Sequence, residues 1–262
     1  MNKSYLAGAF CAALLSWAPA AQAVEGGLGA YFLGSRDSLA GIVHGAGTYV
    51  SLDFIGFSGS LENASIGGFP VFSADVDTTV YTLSITHVFD TTLWGGTPAI
   101  NVNIPYADAE LIYKGPLANG TKDTEAGFGD IVVTPLVGRH SGFQHWGAGI
   151  SIFAPTDVYY EATVDIPNRE IDALSIGKNV WAIQPVMAGT HLNTDDGREF
   201  SGAASLLFSE KNYATSYQTA PQFTLEAAAL QHLPSEWALG ASGYIYQQLG
   251  DDSGAGARAT EQ

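Results

Sequence analysis

The sequence predicts an all-β protein, an antiparallel up-and-down β-barrel of the transmembrane type, from three observations. Apolar and polar residues alternate with period two along many segments, as they do in strands with two different faces. The connections between these segments alternate between short and long. An export signal precedes all of them.

The first residues have the organisation of a secretory signal peptide. Lys3 precedes an apolar run over residues 5–17, and the small residues "AQA" follow at 21–23. We therefore expect a signal peptide over 1–23, cleaved near Ala23, and one mature domain over 24–262. The single cysteine, Cys11, lies within the leader. The mature chain must then be stabilised by packing or by a closed backbone ladder rather than by disulfides.

The charge balance excludes some classes of partner. Of the ten basic residues Lys3 belongs to the leader, so nine remain against 26 acidic ones, a net charge of −17. Nucleic acid is an unfavourable ligand for such a chain. Charged residues make up 14% of the sequence and glycine contributes 31 residues, a composition untypical of a solvated disordered tail or an ordinary soluble surface.

Period-two alternation predicts about nine strands. In "YTLSITHVF" (81–89), Tyr81, Leu83 and Ile85 share one face and threonine and serine the other. The segment "TLEAAALQHL" (224–233) contains good helix formers, but its alternation and its place before a short turn favour a strand. The predicted strands lie near 48–58, 77–93, 97–114, 127–140, 145–156, 174–191, 199–209, 220–232 and 236–249.

The predicted connections fall into two alternating sets. This order is typical of outer-membrane barrels, which have short periplasmic turns and longer outer loops, whereas Greek-key sandwiches rarely keep it. The short connections are 94–97, 141–144, 194–199 and 233–236, and the long ones are 59–76, 115–126, 157–173 and 210–219.

Tryptophan positions favour the same fold. Trp94, Trp146 and Trp237 lie at or beside short turns, and Trp181 lies nearer the opposite rim. Indole rings favour the boundary between hydrocarbon and water. The alternative is that these side chains close a soluble core.

Strand parity predicts which polar side chains face the lumen. Thr86, Asn101 and Asn103 oppose the apolar residues of their strands, and Asp53, Arg139 and Gln184 are further lumen candidates. Prolines within strands remove ladder hydrogen bonds, so a kink or bulge is expected at Pro105, Pro135 and Pro185.

No pattern indicates catalysis. No nucleophile, zinc-binding, phosphate-binding or dinucleotide-binding motif is found in the sequence. The six histidines are scattered at His44, His87, His140, His145, His191 and His232, without close metal-ligand spacing. We therefore expect no enzyme activity, no cofactor and no metal.

Several stretches are similar to the meta-pathway phenol-degradation family. They are "GTYVSLDF" (47–54), "GFGDIVVTPLVGRHS" (127–141), "FAPT" (153–156) and "LGASGYIYQQLGDDSGAGA" (239–257). The resemblance implies an exported outer-membrane barrel of about twelve strands, linked to degradation of aromatic compounds. It also draws attention to Gly127, Gly129, Asp130 and Pro135, whose residue types indicate a turn or bulge in which the aspartate caps freed N–H groups.

Together these observations predict a channel or transporter in the outer membrane of a Gram-negative bacterium. Its partners would be outer-membrane lipid and small solutes, hydrophobic or aromatic ones by the resemblance, with a homo-oligomer such as a trimer as a further possibility. The alternatives are an export channel for functional amyloid subunits, as in some relatives, and a periplasmic β-sandwich binding protein.

The sequence after Leu249 predicts an outer loop, "GDDSGAGARATEQ". About nine strands would leave the sheet with two open edges, which hydrocarbon does not tolerate. We therefore expect the barrel to be incomplete at the C-terminal side.

Overall fold

The computed structural model describes residues 32–62, 65–66, 69–70, 73–114, 120–157, 163–165, 170–172, 174–234, 237–255 and 257. The predicted signal peptide, 1–23, lies outside the described residues. Within them, no helix is long and apolar enough to cross a membrane.

One antiparallel sheet of ten strands forms a half-barrel, which confirms the all-β antiparallel fold predicted from the sequence. Neighbouring strands along the chain pair with each other as in an up-and-down barrel, except that β6 and β7 share one partner, β5. The sheet contains β1 (Gly47–Glu62), β4 (Ser73–Val88), β5 (Thr97–Lys114), β6 (Lys122–Phe128), β7 (Ile131–Ser141), β8 (Gln144–Ala154), β11 (Ala182–Asn193), β12 (Arg198–Ser209), β14 (Gln222–His232) and β15 (Ala238–Gln248).

Three two-stranded pairs lie in the connections. They are β2 (Ser65–Ile66) with β3 (Phe69–Pro70), β9 (Thr163–Asp165) with β10 (Glu170–Asp172), and β13 (Tyr217–Gln218) with β16 (Ser253–Gly254). All three lie at the end of the sheet opposite the short turns 142–143 and 194–197. Longer connections are therefore collected at one end of the half-barrel.

The two faces of the sheet differ in chemistry because side chains alternate along each strand. On β12, Phe200 is 57% exposed while its neighbour Glu199 is fully buried. On β14, Leu225 is 40% exposed and Glu226 only 2% exposed. An ordinary soluble sheet has the opposite arrangement, with apolar residues buried. We call the buried, polar face the inner face and the apolar, exposed face the outer face.

Most predicted strands are confirmed, with three corrections. The helix-prone segment 224–233 lies largely in β14, because its alternation fits the sheet. The strand predicted over 77–93 ends at Val88, since residues 89–96 form the connection to β5. The strand predicted from 174 begins at Ala182, and the one predicted over 127–140 is split by Gly129 and Asp130 into β6 and β7.

The prolines lie where ladders are interrupted. Between β7 and β8, pairing stops after Val133 and resumes at Leu136, which leaves Pro135 without a ladder partner on β8. Pro185 lies in a similar gap between β11 and β12. Pro105 lies where β5 changes its neighbour from β7 to β6. The gaps at Pro135 and Pro185 have as many residues on both strands, so they are interruptions rather than bulges. At Pro105, residues 104–105 of β5 oppose three residues, 129–131, so the extra residue makes a bulge, as predicted.

In the described part of the chain, the sheet has two edges. β1 pairs with β4 and β15 pairs with β14, and these first and last strands do not pair with each other. β1 is 16 residues long, so this edge presents a long row of backbone N–H and C=O groups.

Candidate functional site

Polar side chains are concentrated on the inner face of the central strands. Buried polar groups are stable when hydrogen-bonded, so this face requires partners from protein or water. Its buried polar residues on β8, β11, β12 and β14 are Ser151, Gln184, Thr190, Glu199, Ser201, Ser205, Gln222, Thr224 and Glu226.

A short stretch before the first strand supplies many of these partners. This N-terminal segment, residues 36–43, begins with Arg36, whose backbone N–H donates to Glu226 Oε2 on β14 at 2.8 Å. The Arg36 guanidinium donates to Gln184 Oε1 on β11 and to Ser151 Oγ on β8, both at 3.2 Å. One residue therefore connects three strands through hydrogen bonds that involve a charged group, which are stronger than neutral ones.

Glu199 on β12 holds the middle of the N-terminal segment. Its Oε1 accepts from the Leu39 backbone N–H at 2.7 Å and from Ser201 Oγ at 2.6 Å, and Ser38 Oγ donates to it at 3.1 Å. Its Oε2 lies 2.6 Å from His232 Nε2. A fully buried carboxylate is costly unless it is hydrogen-bonded, so these contacts favour the bound position of the segment.

Gly41 brings the segment into backbone contact with the wall. Its N–H donates to Thr190 Oγ1 at 3.0 Å. A Cβ at this position would lie 2.7 Å from both the Thr190 backbone nitrogen and the His145 backbone oxygen. Glycine is required here because a side chain would collide with rigid backbone atoms.

The segment ends in an apolar contact at the opposite side of the half-barrel. Val43 forms a buried cluster with Val88 and Ala99, and Leu136 packs against it. Gly138 on β7 makes room for Val43, since a side chain at Gly138 would overlap the valine. The N-terminal segment thus crosses the inner face from β14 to β4.

Most of the predicted lumen residues lie on this inner face. Asn101 Nδ2 donates to Ser84 Oγ and Thr86 Oγ1, both at 2.8 Å, and Asn101 is paired in register with Thr86. Asn103 is paired with Ser84 on the same face. Gln184 contacts Arg36 and donates to Ser205 Oγ at 2.9 Å.

The other two lumen candidates, Asp53 and Arg139, lie on opposite faces of the sheet. Asp53 is paired with Thr82, on the side of Ser84 and Thr86, and accepts from Ser51 Oγ at 3.2 Å. Arg139 is paired with Trp146 and alternates with Gly138, which contacts the N-terminal segment. Arg139 therefore belongs to the outer face rather than the inner one.

The four predicted interface tryptophans are all exposed to a substantial degree. Trp94 is 87% exposed in the tight turn between β4 and β5, and Trp237 lies at the turn before β15. Trp146 lies near the start of β8, and Trp181 precedes β11 at the other end of the sheet. Their exposure does not fit the alternative in which they close a buried core.

The turn motif joins two strands and a loop. Gly129 donates its N–H to Pro105 O at 2.9 Å, at the break between β6 and β7. Asp130 follows it, and its carboxylate accepts from the Thr156 N–H at 3.2 Å and the Lys178 N–H at 2.7 Å. Burial raises the pKa of Asp130, although these N–H groups oppose the shift. In the same motif, Gly127 lies within β6, where a side chain would meet open space.

Sequence reasoning missed the N-terminal segment. Its hydrogen-bond partners are 97 to 190 positions away along the chain, so local periodicity could not reveal them. A signal was nevertheless present in Arg36, an isolated base before the first strand, and in Glu199 and Glu226, acids with the parity of serine and alanine on alternating strands.

Metal-ligating side chains are sparse in the described ranges. No group of three or more His, Cys, Asp or Glu side chains there could hold a metal ion. His140 and His145 do come together, with their Nδ1 atoms 2.5 Å apart.

The fold and the inner face define a class, the outer-membrane type of β-barrel wall, with an apolar outer face and a polar inner one. The half-barrel is similar to the crystal structure of the COG4313 outer membrane channel from Pseudomonas putida F1, with a TM-score of 0.60 at 14% identity, covering 87% of this chain and 80% of that chain.

The family is established by sequence. Residues 59–262 match the family described as "Putative MetA-pathway of phenol degradation", and the chain belongs to it. This confirms the resemblance found in the sequence. Comparison with curated proteins gives no match.

Proposed function

We propose that this protein is an outer-membrane channel for small solutes. The observation that carries the proposal is the alternation on β12 and β14, where apolar residues are exposed and charged or polar residues are buried on the inner face. A wall of this kind is stable with lipid outside and water or polar groups inside. The membership of the chain in its family and the similarity of its fold to that of a channel support the proposal.

The N-terminal segment acts as a constriction in this channel. It crosses the inner face near the short turns, the end that is periplasmic in outer-membrane barrels. Hydrogen bonds that the backbone N–H groups of Arg36 and Leu39 donate to the carboxylates of Glu226 and Glu199 hold it there. The pore is therefore narrowed at its periplasmic end rather than open throughout.

The solutes are small aromatic compounds that carry a polar group. Family membership supports an aromatic substrate class. On the inner face, Tyr244 is paired with Glu226 and Tyr246 with Thr224, so aromatic surfaces lie beside hydrogen-bonding groups. Such a surface suits a ring with a hydroxyl group, because the ring can stack while the hydroxyl is satisfied.

Both edges of the described sheet need backbone partners in the working channel. The open edges of β1 and β15 carry unpaired backbone groups, and each such group costs several kcal/mol in hydrocarbon. Backbone pairing on both edges is therefore required for a stable position in the membrane.

Liposome swelling tests the channel. The full chain would be purified from outer membranes, reconstituted, and exposed to gradients of phenol-sized aromatic solutes and of sugars of similar size. We expect the aromatic solutes to enter liposomes that contain the protein faster than they enter protein-free liposomes. Heat-modifiable migration shows that the reconstituted protein is folded. If every solute then enters no faster than it enters protein-free liposomes, the channel is ruled out. Recovery in the soluble periplasm would instead support the β-sandwich alternative.

A second function, export of amyloid subunits, is favoured by one observation. Such a channel needs a plug, and the N-terminal segment lies on the inner face as a plug would. Secretion of an amyloid subunit by cells that carry this protein, and its loss on deletion, would select this function. Unchanged secretion in the deletion strain would exclude it.

A further inference from the structure

The hairpin between β7 and β8 brings two histidines face to face at one rim of the half-barrel. His140 and His145 are paired in register across the turn formed by Gly142 and Phe143. Their Nδ1 atoms are 2.5 Å apart. Since a two-residue turn fixes the register of a hairpin, the two imidazoles are held together by the backbone.

A hydrogen bond to the N-terminal segment fixes the tautomer of His140. His140 Nε2 lies 2.7 Å from the carbonyl oxygen of Val43, which can only accept a hydrogen bond. His140 therefore carries its proton on Nε2, and its Nδ1 presents a lone pair to His145. Metal-binding histidines commonly show this arrangement, in which the second nitrogen donates to a backbone carbonyl and orients the ring.

Two imidazole nitrogens that face each other at this distance require a hydrogen-bonding proton or a metal ion between them. If both Nδ1 atoms present lone pairs, they repel, so the space must hold either a proton or a metal ion. Two nitrogens bound to one tetrahedral zinc at about 2.0–2.1 Å lie roughly 3.3 Å apart. A small rotation of the exposed rings, about 0.8 Å at the nitrogens, gives that separation.

A cavity beside the pair gives access and room for further ligands. It has a volume of about 440 Å³ and is lined in part by His44, Asp90 and His140. Thr91, Thr92 and Thr97 add hydroxyl groups to its lining. Water molecules can therefore enter beside His140 and complete the coordination of an ion bound by the two histidines.

We propose that His140 and His145 form a binding site for a transition-metal dication at the rim of the half-barrel. Imidazole ligands suit copper, nickel and zinc, with copper(II) bound most tightly among divalent first-row metals. On binding, neutral His145 changes tautomer: its Nδ1 gives its proton to solvent while Nε2 takes one up, so that both Nδ1 lone pairs coordinate the ion. The site also connects to the N-terminal segment, because His140 donates to Val43.

Copper(II) titration of the purified full chain, followed by electron paramagnetic resonance, tests the site. We expect one ion per chain in the presence of competing glycine, with a spectrum that shows two imidazole nitrogens. His145→Asn keeps a polar side chain of similar size and the Val43 contact, and it should lower the affinity at least tenfold. His140→Ala should have at least the same effect.

His191→Ala is the matched control. His191 lies near the same turn, but it contacts Gln144 at 2.7 Å and is paired with Phe200 of the outer face. We expect this variant to bind copper as the unaltered protein does, and heat-modifiable migration would verify the folding of each variant. Affinity within twofold of the unaltered protein in folded His145→Asn, or a spectrum with a single nitrogen, would overturn the proposal.

Discussion

Adding a single methyl group at Gly41 should detach the N-terminal segment from the wall. In Gly41→Ala, the new Cβ would lie 2.7 Å from the Thr190 nitrogen and the His145 oxygen. Both are backbone atoms of paired strands, so neither can move aside without breaking the sheet. The segment must move instead, and the 3.0 Å bond from the Gly41 N–H to Thr190 Oγ1 is lost with it.

The size of the effect follows from these two losses. Overpacking of this kind costs about 1–3 kcal/mol. One lost hydrogen bond adds about 0.5–1.5 kcal/mol. Because about 1.4 kcal/mol is a factor of ten, a total of about 1.5–4.5 kcal/mol lowers the ratio of attached to detached segment roughly 10- to 1,600-fold.

Hydrogen exchange and single-channel current measure this detachment independently. We expect the amides of Leu39 and Gly41 to exchange faster in Gly41→Ala, and the conductance to rise as the constriction opens. Gly45→Ala is the matched control, because nothing lies within 4 Å of a Cβ at Gly45. If Gly41→Ala and Gly45→Ala show the same exchange and conductance, the segment does not occupy the position described.

Three further predictions concern carboxylates. Glu199→Ala should free the Leu39 amide and speed its exchange more than Glu199→Gln does, because glutamine keeps one acceptor oxygen; equal rates would contradict this. Burial raises the pKa of Asp130 above its ordinary value of 3.8, so ionisation is unfavourable in the folded protein. Stability should fall as pH rises from that value through the raised pKa, and urea midpoints of Asp130→Asn should lack this fall; parallel pH profiles would refute the assignment. The exposed pair of Lys114 and Asp75 should matter little, so Lys114→Ala should unfold at the same urea midpoint as the unaltered protein; a clearly lower midpoint would contradict this.

The strands could be predicted because their two faces meet different surroundings. In β4 and β5, serine, threonine and asparagine alternate with apolar residues, and this period places Thr86 and Asn101 on one face without knowledge of the fold. The same reasoning identified β14 despite its helix-forming residues, since the sheet environment outweighs intrinsic propensity.

Other features depended on tertiary contacts. Parity alone did not place Arg139, because β7 carries apolar residues of both parities, such as Val132 and Val133, and only the contact of Gly138 with Val43 identifies the inner face. Residues 174–181 were predicted as part of a strand, but they form a loop. Hydrogen bonds from its backbone N–H groups to the carboxylates of Asp130 and Asp157 fix this loop. The N-terminal segment has no periodic pattern, since its contacts are spread over several strands between β14 and β4.

The histidine pair shows a signal that spacing could have revealed. His140 and His145 are five positions apart, and a two-residue turn places such residues directly opposite each other. Spacing along the sequence, without the register of the hairpin, does not show that these two side chains face each other. Identification of the hairpin register is therefore required before scattered histidines are assigned to rim positions.

Ion current across a planar bilayer that contains the purified full chain tests the central claim most directly. Glu199 and Glu226 lie on the inner face near the constriction, so the account predicts discrete current steps with a reversal potential that indicates preference for cations. Heat-modifiable, membrane-inserted protein that produces no current steps at any voltage would contradict the account of this protein as an outer-membrane channel.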